Sequence, residues 1–218
     1  IIEKSYGGAV LKDRVSGKAD FKTLSHIMVD IKRSIAMRAV CFIRQGDCIY
    51  IDFSTTCGQI VPLLEDIPVN VLTNSLEVMN QLSDKKQISL FSIGGNWDPE
   101  NCAFMGSTAI SNLGQYHVDK AFISCRALSM ERGISDKTEA EAELRRKIIE
   151  SSNQVYLLAD SSKFGRIAFV KTCDFRKITA VLTDEEPGEE WKGFFEKNGI
   201  AWYDCCSGAL PEEGEEDF

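Results

Sequence analysis

Ile49-Tyr50-Ile51-Asp52-Phe53-Ser54-Thr55-Thr56-Cys57-Gly58 is the stretch on which the reading of the chain turns. An aspartate sits among apolar residues, three hydroxyl side chains follow in a row, and Gln59-Ile60-Val61-Pro62-Leu63-Leu64 continues as a helix. This is the pattern of a buried strand that ends and turns into a helix, where backbone N–H groups and the helix dipole favour an anion. Three hydroxyls in such a turn suit a phosphate. A serine or threonine there also serves as a plain helix cap. Two similar segments add weight, Val69-Asn70-Val71-Leu72-Thr73-Asn74-Ser75 and Val155-Tyr156-Leu157-Leu158-Ala159-Asp160-Ser161-Ser162-Lys163-Phe164. In an open α/β sheet the strand C-termini border one crevice, so the three segments are expected to converge on one ligand.

The 218 residues, 44% of them hydrophobic, suffice for one large domain or two small ones. A net charge of −8 argues against a nucleic-acid-wrapping surface on this chain, while leaving room for a small basic pocket. The cysteines at 41, 48, 57, 102, 125, 173, 205 and 206 include no CxxC pair. With only His26 and His117 beside them, no zinc spacing arises. They read as free thiols of a reducing compartment, with the adjacent Cys205 and Cys206 structural, because a disulfide between neighbours is strained. No run of 18 apolar residues and no signal-peptide pattern occurs, so the expected location is the cytoplasm, with no membrane partner. The start at Ile1 reads as a fragment of a longer chain.

From Asp20 to about Phe42, apolar residues Leu24, Ile27, Met28, Ile31, Ile35 and Ala39 recur at helical spacing, with Asp20 as the cap. Short apolar runs then alternate with helical stretches. Strands are predicted over Cys48–Ile51, Val69–Leu72, Ile88–Ile93, Val118–Ser124, Gln154–Ala159, Ile167–Lys171, Ile178–Leu182 and Ile200–Tyr203. Helices are predicted over Gly58–Glu65, Leu76–Leu82, Gly106–Leu113, Lys137–Ser151 and Glu189–Lys197. Continuous apolar strands alternating with helices give the fold class: α/β, a mostly parallel sheet covered by helices on both faces. In the helix from Lys137, Ala140, Leu144 and Ile148 form the apolar stripe, and Glu139, Glu141, Glu143, Arg145, Arg146 and Lys147 read as a solvated face whose charges complement the helix dipole. The acidic end, Pro211 to Phe218, carries no core residues and reads as disordered.

Gly94-Gly95-Asn96-Trp97-Asp98 marks a sharp turn or a close approach of backbone to a ligand, and it is no dinucleotide fingerprint. Asp119 and Lys120 open an apolar strand, where charges usually sit as solvated ends. Asp160 and Lys163 instead lie at a strand's C-terminal end, where Lys163 offers a phosphate or hydroxyl a positive donor. Asp98, Asp119, Glu141 or Asp160 would serve as a general base in an enzyme. However, HExxH, GxSxG and P-loop motifs are absent, and His117 reads as a surface residue. No catalytic residue, metal or cofactor is assigned.

Taken in order, Tyr6-Gly7-Gly8-Ala9, Ile51-Asp52-Phe53-Ser54-Thr55-Thr56, Thr73-Asn74-Ser75, Gly94-Gly95 with Gly106, Asp119-Lys120-Ala121-Phe122, Gly133-Ile134-Ser135, Glu141-Ala142-Glu143, Leu158 to Phe164 and Leu182-Thr183-Asp184 resemble the effector-sensing domain of DeoR-type bacterial transcriptional repressors, over residues 5 to 205. The resemblance implies a fold like that of ribose-5-phosphate isomerase, glucosamine-6-phosphate deaminase and CoA transferases, with a small appended subdomain. It also implies a phosphorylated sugar or related metabolite as effector, and operator DNA bound through an N-terminal winged helix-turn-helix ahead of this chain. Where the family's turn often carries glycine, Ser54 stands here.

The expected domains are a linker over 1–17, a sensing domain over 18–207 and a tail over 208–218, in a homo-oligomer. The expected ligand-binding residues are Asp52, Ser54, Thr55, Thr56, Thr73, Asn74, Ser75, Gly94, Gly95, Asp119 and Lys163. Ser54, Thr55 and Thr56 would hold the phosphate, Thr73 to Ser75 the sugar hydroxyls, and Asp119 and Lys163 the far side. Cys125 to Lys137 is the candidate lid. The alternatives are a sugar-phosphate isomerase or deaminase using the same crevice, and a purely structural oligomerisation module.

Overall fold

Strands whose alternate side chains are all apolar need cover on both faces, and the structure supplies it. It is a computed structural model that describes residues 2–5, 8–11 and 21–205. The expected tail over 208–218, Cys206 and most of the expected linker lie outside these residues. In chain order the elements are β1 (Ile2–Ser5), β2 (Gly8–Leu11), α1 (Phe21–Ser25), α2 (Val29–Val40), β3 (Cys48–Ile51), β4 (Val69–Thr73), α3 (Leu76–Leu82), β5 (Ile88–Ser92), β6 (Asn96–Asp98), β7 (Ala103–Met105), α4 (Ser107–Leu113), β8 (Val118–Ile123), β9 (Ala127–Ser129), β10 (Gly133–Asp136), α5 (Glu139–Glu150), β11 (Ser152–Leu158), β12 (Val170–Cys173), β13 (Ala180–Thr183), α6 (Glu189–Lys197) and β14 (Ala201–Asp204). Two short 3-10 helices cover Cys57–Leu63 and Ser161–Lys163.

Seven strands form one parallel sheet in the order β14-β13-β11-β8-β3-β4-β5. Ile49 and Ile51 of β3 face a core made with Ile35, Ala36 and Ala39 of α2 and Val78 and Leu82 of α3. Tyr50, between them, faces the opposite core with Leu113 of α4, Leu144 and Ile148 of α5 and Phe195 of α6. That two-residue alternation is the signature of a strand buried on both sides. The chain builds outward from β3 through β4 and β5, then resumes on β3's other side with β8. The β3–β8 boundary is therefore the sheet's topological switch point, where ligands of such folds bind. β12, β10 and β9 form a separate antiparallel three-stranded sheet, the appended subdomain.

Four expectations change. The helix predicted from Asp20 to Phe42 is two helices, broken at Met28, whose left-handed backbone (φ 54°) no longer continues the helical path. The helix after Thr56 is a seven-residue 3-10 segment containing Pro62. The lid candidate, Cys125 to Lys137, is largely the β9–β10 hairpin, with β10 buried throughout and exposure confined to Arg126 ahead of β9 and Glu131 and Arg132 in the turn. Arg145 and Glu141 are not on a solvated face, being 4% and 6% exposed.

Arg145 reaches in from α5 with Nη1 2.6 Å from Asp136 Oδ1 and Nη2 2.8 Å from Asp52 Oδ2. Its guanidinium also lies over the Phe53 ring, 4.4 Å from the centroid. One cation thus ties the end of β3 to the small sheet. Replacing Arg145 by methionine strands two buried carboxylates, a loss of about 3–5 kcal/mol. Urea unfolding of Arg145→Met is expected to show that loss. Arg146→Met, whose exposed guanidinium reaches the Lys171 carbonyl, is expected to stay within about 1 kcal/mol of wild type.

Candidate functional site

A cavity of about 640 Å³, within the usual range for small-molecule sites, opens at the C-terminal ends of β3, β8 and β11. β3 runs out into Phe53, Ser54, Thr55 and Thr56, β8 into Ser124, Cys125 and Arg126, and β11 into Asp160, Ser162 and Lys163. All of these line it. Lys32 and Met28 of the α1–α2 junction form another wall. Asp136, Lys137, Glu141 and Arg145 bring in the small sheet and α5.

The polar floor is prearranged by hydrogen bonds. Lys163 Nζ donates to Ser124 Oγ at 2.9 Å, and Ser124 Oγ donates to the Leu158 carbonyl at 2.7 Å. The Ser124 amide donates to Asp52 Oδ2 at 3.2 Å. Lys163 also lies 3.5 Å from Asp160 Oδ2, and Ser162 Oγ donates to Asp160 Oδ1. Burial works to raise the Asp160 carboxyl, but the Lys163 ammonium and the Ser162 hydroxyl outweigh it and hold the group below the ordinary aspartate range. Burial raises Glu141 against the pull of Arg145. Its oxygens accept from Asn101 Nδ2 at 3.2 Å and the Lys137 amide at 3.3 Å. Burial also pushes the Cys125 thiol up to about 12, so it lines the cavity as a neutral group.

Charge is the site's clearest feature. Lys32, Arg126, Lys137, Arg145, Lys163 and Arg166 line the cavity, against Asp136, Glu141 and Asp160. Six cations to three anions is the reverse of the balance of the whole chain, whose net charge is −8. Burial, then the neighbouring Lys163, lowers the Lys32 ammonium to about 8.

Of the sequence-predicted residues, Ser54, Thr55, Thr56 and Lys163 meet at this cavity. Ser54 Oγ accepts from the Cys57 amide at 3.1 Å, so it caps the following turn as well. Asp52 lies behind the lining, fully buried against Arg145, with Oδ1 lacking a partner. Thr73, Asn74 and Ser75 are held elsewhere. Thr73 Oγ1 donates to the Ile51 carbonyl, Asn74 Oδ1 accepts from the Tyr50 hydroxyl, and Ser75 Oγ caps α3 through the Val78 amide. Gly94 and Gly95 do not line the cavity, and Gly95 makes room for protein instead of ligand. A Cβ on Gly95 (φ 122°) would sit 2.7 Å from the Met105 carbonyl oxygen and 2.8 Å from Ala109 Cβ. Asp119 occupies the opposite rim, where Oδ2 accepts from the Cys48 amide at 2.8 Å at the start of β3. Lys32, Arg145 and Asp136 were missed, and Glu141 was named only as a candidate base of the enzyme alternative. For Lys32 a signal existed, since it continues the helical stripe Met28, Lys32, Ile35, Ala39.

A sequence model of the family described as DeoR C terminal sensor domain matches residues 27–185. The chain is 31% identical over 199 residues to the HTH-type transcriptional repressor GlcR of Bacillus subtilis, covering 91% of this chain and 77% of the relative. It is 30% identical over 200 residues to the L-fucose operon activator of Haemophilus influenzae, covering 92% and 80%. Among solved structures, eIF2B delta of Chaetomium thermophilum superposes with a TM-score of 0.55 at 17% identity, covering 75% of this chain and 59% of that one, a likeness of fold alone. Ribose 5-phosphate isomerase of Methanocaldococcus jannaschii gives 0.43 at 18% identity, covering 62% and 54%. The chain thus spans less than two thirds of either solved chain.

The depressed ammonium of Lys32 gives a signed pH effect. From pH 8 to pH 10.5 the unfolded chain keeps that proton while the folded chain sheds it, so the burial penalty on the charged group is relieved as pH rises. The difference in stability between wild type and Lys32→Met, measured by urea unfolding across this window, is expected to move in favour of wild type with rising pH. A flat difference curve would contradict the assignment.

Proposed function

The chain belongs to the DeoR C-terminal sensor domain family, and from that premise we propose that its cavity binds a phosphorylated sugar or related metabolite and thereby adjusts operator binding by the DNA-reading part of the regulator. The observation that carries this reading is the excess of cations around a 640 Å³ hollow in an acidic chain. A hollow lined by three lysines, three guanidinium groups and the hydroxyls of Ser54, Thr55 and Thr56 favours a small anion over a neutral sugar. In this reading Thr55, Thr56 and Lys163 take the phosphate. Asn101 and Glu141, on the far wall, meet the hydroxyls, with Arg145 as the fixed charge behind them. The regulators most like the chain include a repressor and an operon activator, so the sign of the response follows from the whole regulator, not from the cavity.

Operator DNA is a partner of the whole regulator through a helix-turn-helix, and the acidic chain itself is not its reader. The domain division remains 18–207 for the sensing unit, and a homo-oligomer is the proposed assembly.

A second reading, turnover of a sugar phosphate, is favoured by one observation: a carboxyl raised by burial, Glu141, lines the same cavity. Incubating the chain with phosphorylated hexoses and pentoses and analysing for isomerised or deaminated product separates the two, since a sensor binds without converting.

Hydrogen bonds to a charged group contribute about 1.5–3 kcal/mol each, or roughly 10- to 150-fold in affinity. Calorimetric titration with a panel of sugar phosphates is expected to find one or more that bind. Thr55→Ala and Lys163→Ala are each expected to weaken that binding by about tenfold or more. Asp119→Asn, altered at the opposite rim, is expected to leave it unchanged. Equal affinities in all three variants would place the anion elsewhere.

A further inference from the structure

α1 is a five-residue helix with no buried side chain, so little apolar contact fixes its position. Among the described residues, hydrogen bonds near both of its ends tie its backbone to the rest of the domain. At its start the Phe21 amide donates to the Glu100 carbonyl at 2.9 Å. Near its end the Leu24 carbonyl accepts from Lys32 Nζ at 2.6 Å. Lys32 is 6% exposed and stands on α2, which is anchored in the core one turn further on by Ile35 and Ala36. Its ammonium also lines the cavity, close enough to Lys163 and Asp160 to feel both charges. Between α1 and α2 lies Met28, a non-glycine residue in the left-handed region and itself part of the lining. Such a backbone is strained for a residue with a Cβ and persists only while its surroundings hold it.

We propose that Lys32 couples the cavity to the front of the chain: an anion draws its ammonium from the Leu24 carbonyl and so releases α1. This rests on the anion-binding reading above. The Leu24 carbonyl offers the ammonium only a dipole, whereas a phosphate offers it a full opposite charge, so the anion is the stronger partner once it is present. A ligand shifts an equilibrium only through unequal contacts with its two states, and in this proposal Lys32 supplies that inequality by turning from α1 toward the ligand. α1 is the first helix of the described chain, and in a family described as a C-terminal sensor the part to be controlled lies ahead of it.

The test is hydrogen exchange at backbone amides 22–28 of the 218-residue chain, with and without inorganic phosphate at a concentration that saturates a Lys163-dependent binding signal. In wild type, phosphate is expected to speed exchange at these amides severalfold while slowing it at residues 53–56. In Lys32→Met, phosphate is expected to bind more weakly through Lys163, with amides 22–28 already fast and indifferent to it. A purely structural lysine would lower stability without removing that phosphate dependence. If wild type binds phosphate through Lys163 and amides 22–28 stay unchanged or slow down, the coupling is overturned and the anion site stands. If Lys163-dependent binding is absent at any concentration, the anion site falls and takes the coupling with it. The wild-type measurement decides alone should Lys32→Met fail to fold.

Discussion

The Arg145 guanidinium between Asp52 and Asp136 is the constraint on which the site depends. Each partner belongs to a different layer: Asp52 ends β3 of the main sheet, Asp136 ends β10 of the small sheet, and Arg145 comes from α5. Asp136 passes the restraint on, accepting from the Arg126 amide before β9 at 3.1 Å and from Thr172 Oγ1 of β12 at 2.5 Å. All three strands of the small sheet are therefore registered against one buried charge cluster. A cluster of this kind adds little net stability over an apolar core, because desolvation offsets most of the attraction. What it supplies is position: an apolar contact tolerates sliding, whereas a guanidinium shared by two carboxylates does not. The two sheets are held at a fixed separation, and the cavity is the space between them.

That geometry explains which parts of the chain were legible from its residues. All seven parallel strands, and the helices that cover them, follow from apolar runs punctuated by turn residues, since burial on both faces leaves no other composition open to them. The convergence of the segments after β3 and β11 follows from the crevice rule, and Ser54, Thr55, Thr56 and Lys163 are where that rule puts them. The rule failed for Thr73, Asn74 and Ser75 for a specific reason. They do end a strand, β4, but the β6–β7 hairpin, hidden in a stretch read as a turn, occupies that end, with the Phe104 amide donating to the Asn74 carbonyl at 2.8 Å. Asp119 was a matter of polarity: it opens its strand, and the crevice lies at the other end.

Arg145 was hidden by its own charge. The buried positions of α5 are 141, 142, 144, 145, 148 and 149, a regular helical stripe in which two members are ionisable. A periodicity built on hydrophobic residues keeps Leu144 and Ile148 and assigns Glu141 and Arg145 to water, although the spacing places them on the same face. The same bias removed Lys32 from the stripe of α2. Charged residues that fall in register with a buried stripe are the ones that meet partners inside, and here they form the cavity's electrostatics.

Those electrostatics also bear on how a ligand and the fold depend on each other. Lys32 and Lys163 stand close enough for each to disfavour the other's charge, and Asp160 offsets only part of that repulsion. Under the proposed function, an anion seated beside both lysines would relieve that repulsion. On that proposal a small dianion suits the site better than a neutral sugar, because its charge would act on both lysines at once whereas a neutral sugar would leave their repulsion in place.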